Sequence, residues 1–182
     1  MGLYTVAHFA SPEFLGAYNF SHKLVILASG LMVHFISSSL ITLHQTDSRI
    51  LHLRDQATFT LFIVMVTTPF WLFPQYTLRL VFFAAPWTPD VLETSCHCLR
   101  ILACSLILQA TRMGMISTLL KEKRTWLYGA MITAGGLLNI AVCIVGAPRL
   151  PSAYLPVLTL TGDLLLSLQL VAYFVHNRRI RW

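Results

Sequence analysis

The sequence predicts an all-α, polytopic helical membrane protein with about five transmembrane helices, and three observations carry that prediction. Hydrophobic residues make up 56% of the 182 positions and charged residues only 11%, where a soluble domain carries about 25% charge. Too little charge remains to cover a water-facing surface. The apolar residues are gathered into long runs instead of alternating with period 2 or 3.6, which is the signature of membrane spans. The basic residues fall mostly between and after those runs, where orientation signals belong. The formal charge of +6 is therefore read as a membrane signal and not as a nucleic-acid one.

The first span is 24–43, LVILASGLMVHFISSSLITL. Twenty residues at about 1.5 Å each cover the ~30 Å hydrocarbon layer. The second is 57–73, with Pro69 and Pro74 expected to kink or break it. The apolar stretch 76–85 is too short to cross and reads as an interfacial or re-entrant continuation. The third, fourth and fifth spans are 96–120, 126–145 and 154–175. Trp126, Tyr128 and Tyr154 sit near span ends, where aromatic rings favour the interface. Residues 1–20 are ambiguous, apolar enough for the end of a further helix but interrupted at Ser11-Pro12-Glu13. Nothing resembles a linker or repeat, so 1–182 reads as one membrane domain.

Ionisable groups in or beside the spans are costly and each needs a reason. Lys23 and His22 stand at the start of the first span, with His34 inside it. Arg79 follows the Pro74 break, Arg100 and Arg112 belong to the third span, and Asp163 lies near the middle of the fifth. The long cationic side chains can snorkel to the headgroups. Asp163 is too short for that and should face a polar partner or a wet cavity. Ser37–Ser39, Ala130, Ala134, Gly135, Gly136 and Asn139 read as helix-packing positions. Of the four cysteines, Cys104 and Cys143 read as small buried hydrophobes. Cys96-His97-Cys98 lacks the second ligand pair of a zinc site, so no metal or other cofactor is expected. Gly-x-Ser-x-Gly, P-loop and His-Glu-x-x-His patterns are missing, and carboxylates are too few for an acid–base pair. An enzyme is not expected.

The segment order carries a resemblance. Ala17-Tyr18-Asn19-Phe20-Ser21-His22-Lys23-Leu24, the Leu99-Arg100-Ile101 helix, the basic turn 121–125 and Leu137-Leu138-Asn139-Ile140 up to Pro148 resemble the C-terminal lobe of the MurJ/MviN lipid II flippases. That family lies within a superfamily that also holds MATE exporters and polysaccharide flippases. Lys23 stands where the family has an Arg, and its Leu-Pro-Leu-Gly-like stretch lacks the Pro here. The resemblance implies one lobe of a transporter fold and export of a lipid-linked oligosaccharide across the cytoplasmic (inner) membrane. Lys23, Arg100, Arg112 and Asp163 would form the substrate-binding set. Because substrate passes between two lobes in such carriers, a missing N-terminal lobe or a second copy would complete the path. A MATE-like or polysaccharide exporter is the alternative within the fold. A non-transporting membrane subunit packed on a partner is the alternative outside it.

Loop charges set the expected topology. Arg49 and Arg54 mark the 44–56 loop, Lys-Glu-Lys-Arg the 121–124 turn, and Arg178, Arg179 and Arg181 the tail. The 84–95 loop holds only Asp90 and Glu93, and the 146–153 loop only Arg149. The positive-inside rule then places the N-terminus outside and the C-terminus in the cytoplasm. Cysteines introduced at Ser152 and Glu122 should label from opposite sides of sealed vesicles. Labelling of both from one side would overturn this orientation.

Overall fold

In the computed structural model the described residues, 10–45, 49–121 and 123–180, are helical with short turns between, and no strand occurs among them. The side chains of 33–57, 59, 60, 113, 114, 117, 118, 120, 121 and 177–180 lie outside the description. The readings of His34, Ser37–Ser39, Arg49, Arg54 and the terminal arginines fall there. The helices are α1 (Pro12–Gln45), α2 (Arg49–Leu72), α3 (Pro74–Val81), α4 (Pro89–Lys121), α5 (Thr125–Gly146) and α6 (Leu155–Ile180). Two 3-10 turns, Ala147–Arg149 and Ser152–Tyr154, join the last pair.

Three helical stretches among the described residues are long and apolar enough to cross a membrane: Pro89–Arg112, Thr125–Arg149 and Ser152–His176. The α2–α3 pair raises this to four if it crosses as one broken span, bent by 98°. The bend comes at Phe73 and not at Pro69, which α2 carries inside an unbroken helix. Pro74 disfavours the helical backbone of the residue before it, and Phe73 takes φ −130°, ψ 51°.

The structure redraws the N-terminal boundary. Of the ambiguous stretch 1–20, residues 12–20 run without a break into 24–43 as α1, and residues 1–9 lie outside the described residues. Ser11 accepts the Phe14 N–H on its hydroxyl at 3.3 Å, Pro12 occupies the first helical position and Glu13 follows. A hydroxyl cap, a proline and an acid at successive positions are what a helix start calls for. Thr88-Pro89-Asp90 repeats the pattern at α4, with Val91 N–H reaching the Thr88 hydroxyl at 3.4 Å. The third span therefore begins seven residues earlier than 96. Lys23, expected at the mouth of the first span, stands about three turns inside α1.

α4 is the central helix, packed against α1, α2 and α6, while α5 leans chiefly on α6. Phe14, Tyr18, Ser21, Val25, Ala28 and Met32 form the buried seam of α1. Their alternating three- and four-residue spacing keeps one narrow stripe toward a partner helix. The Ser21 hydroxyl donates to the Ser95 carbonyl at 2.7 Å and the Ser29 hydroxyl to Gln109 Oε1 at 2.9 Å, so α1 and α4 run in the same direction. Phe20 contacts the rings of Phe82 and Trp87 at 5.2 and 4.9 Å, tying the turn before α4 to α1.

α5 and α6 pair antiparallel. The Cys143 thiol approaches the Leu158 carbonyl at 3.8 Å, and the Thr161 hydroxyl donates to Asn139 Oδ1. Gly162 permits this approach, since a Cβ there would lie 3.0 Å from Asn139 Nδ2 and 3.1 Å from its Cγ. Gly136, on the other face of α5, has nothing within 4 Å of a Cβ position. Gly162→Val should destabilise the protein by about 1–3 kcal/mol through overpacking. Gly136→Ala should change stability by less than about 0.5 kcal/mol. Thermal unfolding in detergent, followed by helical circular dichroism, measures both.

Candidate functional site

Of the four candidate residues, the structure brings two together. Arg112 of α4 donates from Nη2 to Asp163 Oδ1 at 2.7 Å and from Nη1 to the Asp163 carbonyl at 3.1 Å. The side chains are 7% and 25% exposed, so both charges have largely left the surface of the protein. The Ser167 hydroxyl adds a 2.7 Å bond to the same carbonyl from one turn further along α6. Asp163 thus meets a polar partner, as its short side chain demanded.

Arg112 does not snorkel, and the helix direction gives the reason. Side chains on a helix slant toward its N-terminus. The nearer end of α4 from Arg112 is the C-terminal one, nine residues on at Lys121, or roughly 14 Å. The slant aims the guanidinium away from that end and into the protein, where Asp163 lies. Eleven residues separate Asp163 from Ser152, the start of a 25-residue stretch long and apolar enough to cross a membrane, which puts the pair near the middle of that stretch. An isolated charge there is expensive; a hydrogen-bonded pair offsets much of the cost.

Lys23 and Arg100 stand apart. Lys23 is exposed on the side of α1 turned away from the α4 seam, among exposed Ile26, Leu27, Gly30 and Leu31. Arg100 is exposed on α4, near the end from which its side chain can reach headgroups without opposing the helical slant. The cleft between α2 and α4, about 260 Å³, is lined by Val64, Thr67, Thr68, Trp71, Leu72 and Ile107 and holds none of the four.

Cys96 and Cys98 are buried while His97 points out and meets the edge of the Tyr154 ring at 6.4 Å. Among the described residues no group of three or more His, Cys, Asp or Glu side chains is placed to hold a metal. A contact that the sequence did not suggest joins Arg124 to the Tyr173 hydroxyl across the α5–α6 pair. Tyr173 carries no local signal in its apolar run; the antiparallel register of α5 and α6 delivers it there.

The ion pair makes a clear mutational prediction. Arg112→Leu or Asp163→Leu alone strands a buried charge and should cost about 3–5 kcal/mol. The double variant Arg112→Leu/Asp163→Leu should recover most of that loss, giving a large coupling energy. Unfolding of the purified chain and its two single and one double variants in detergent measures the cycle; additive losses would show that the two side chains act separately.

No family model, curated protein or solved structure matches the chain. The functional assignment therefore rests on its own residues.

Proposed function

We propose that the chain forms one wall of a lipid-linked oligosaccharide flippase of the MurJ/MviN type, passing a pyrophosphate-linked lipid across the cytoplasmic membrane. The observation that carries this reading is the Arg112–Asp163 ion pair at mid-depth between two packed helices. Well-packed apolar side chains would hold two helices together at least as well as a buried ion pair. Ionisable groups persist inside membranes chiefly where ions or polar substrates pass. A phosphate oxyanion competes with the Asp163 carboxylate for Arg112, because a guanidinium binds either one bidentately. A cation or proton taken up by Asp163 frees the guanidinium for that exchange.

Lys23 complements the pair. It is a cation on an apolar helix face that its own bundle leaves uncovered. A facing lobe or second copy would enclose it with substrate, and the ammonium would meet the pyrophosphate as a point charge. Arg100 does not enter this path. The alternative of a non-transporting subunit draws on one feature of α5. Gly129, Thr133 and Gly136 share an exposed face, the kind of small-residue surface that admits another helix closely.

Complementation of a flippase-depleted strain tests the reading, with the chain supplied beside a first lobe of the family. Lys23→Arg should sustain growth, and Lys23→Gln should lower export about tenfold or more at matched membrane abundance. Full rescue by Lys23→Gln removes Lys23 from the path. Failure of the unaltered chain to complement, together with stable co-purification of a partner held through α5, points to the subunit.

A further inference from the structure

We propose that the corner where the end of α4, the start of α5 and the end of α6 meet is a docking surface for anionic phospholipid headgroups, with Lys121, Lys123, Arg178 and Arg179 as its cations. This inference is independent of the flippase reading, since it uses neither Lys23 nor the Arg112–Asp163 pair.

Packing brings the three helix ends to one place. Ile116 and Leu119 of α4 and Leu170 of α6 form one buried cluster, joined by Leu127 and Tyr128 of α5 and by Tyr173 of α6. Arg124, just before α5, donates to the Tyr173 hydroxyl, which ties the 121–124 turn to the last turns of α6. Arg178 and Arg179 follow Tyr173 by five and six residues on α6, or about 8–9 Å along the axis. That is close to one Debye length at physiological ionic strength, so the fields of the two basic segments add.

The charge of the chain is concentrated here. In the stretches 121–124 and 176–182, Lys121, Lys123, Arg124, Arg178, Arg179 and Arg181 stand against a single acidic side chain, Glu122. The two stretches hold a net of five of the chain's six formal positive charges. By contrast, 44–56 sets Arg49 and Arg54 against Asp47 and Asp55. The opposite end of the α5–α6 hairpin, 147–154, carries Arg149 alone. Like charges this close repel one another, and an anionic counterpart relieves that cost.

Depth selects the counterpart. Thr125–Arg149 and Ser152–His176 are each long and apolar enough to cross a membrane. The first begins directly after the basic turn, and the second ends two residues before Arg178. Each has 25 residues, about 37 Å, against ~30 Å for the hydrocarbon layer and ~40–45 Å with the headgroups. A bilayer crossed by these helices therefore has its headgroups at the basic corner. Trp126, in the first turn of α5, is 72% exposed, and an indole favours that same boundary. Lys123 is exposed three residues before it. An acidic soluble protein would need cations that stand clear of the bilayer, whereas these lie level with the phosphates. A cluster of four or more Lys and Arg immediately beside a span is what anionic lipids are held by.

Native mass spectrometry of the full chain, released from detergent with equal phosphatidylglycerol and phosphatidylcholine, tests this directly. The unaltered chain should retain phosphatidylglycerol in preference, and the preference should fall as ionic strength rises. Lys121→Gln/Lys123→Gln and Arg178→Gln/Arg179→Gln should each weaken retention roughly thirtyfold, two basic side chains at about fivefold each. Arg149→Gln, at the opposite end of the hairpin, should leave it unchanged. Circular dichroism checks that the variants keep their helices. Should a double variant fail to fold, the lipid preference of the unaltered chain and its salt dependence decide alone. Equal retention of the two lipids by the unaltered chain would overturn the proposal, as would a preference independent of salt. So would retention by both double variants equal to that of the unaltered chain. Displacement of phosphatidylglycerol by millimolar inorganic phosphate would overturn it in favour of a free-anion site, and displacement by polyglutamate in favour of an acidic protein partner.

Discussion

Between α4 and α6 a guanidinium closes on a carboxylate and its own backbone carbonyl, and the packing of this half of the molecule is organised around that contact. Both helices are long and apolar enough to cross a membrane, and in hydrocarbon an Arg112 charge would have no water to fall back on, so the helix that carries Asp163 must present it at the right height. Both helices run in the same direction, with His97 beside Tyr154 at one level and Arg112 beside Asp163 at the next. The Arg side chain reaches back along α4, which is why residues fifteen apart on α4 meet Asp163 of α6 and Tyr154 of the turn before it, nine residues apart.

Much of the helical skeleton was legible because apolar run length is a strong signal. Thr125–Gly146 begins and ends within one residue of the span 126–145, and Leu155 lies one residue from the expected start of the fifth. The starts of α1 and α4 were missed, although both were written plainly. Ser11-Pro12-Glu13 and Thr88-Pro89-Asp90 combine a hydroxyl cap, a first-position proline and an acid. Read through hydropathy alone, the same residues look like interruptions. A capping argument reads them as beginnings.

The candidate site was legible in part, and the division follows geometry. That Asp163 needs a polar partner follows from its length and depth alone. That the partner is Arg112 and not Lys23 or Arg100 depends on helix direction and register, which no local pattern encodes. Direction also separates the two arginines of α4. The same N-terminal slant carries Arg100 out to one surface and Arg112 into the interior. Asn139 offered another partial signal. A lone amide in an apolar helix announces a cross-helix bond, but only the antiparallel fit around Gly162 shows that Thr161 completes it.

The hand-over from α4 to α5 has a consequence of its own. Lys123 holds a left-handed backbone, φ 57°, and the Arg124 N–H bonds back to the Leu119 carbonyl at 2.9 Å. That is the stop glycine usually provides at a helix end. A lysine there gives up roughly 1 kcal/mol of conformational preference and in return keeps a third cation in a run of Lys121, Lys123 and Arg124. One short turn thus serves as both a brake on the helix and a concentration of positive charge between two long apolar helices. Local backbone ease has been traded there for electrostatic weight, so the stop of one helix and the charge of the turn rest on the same residue.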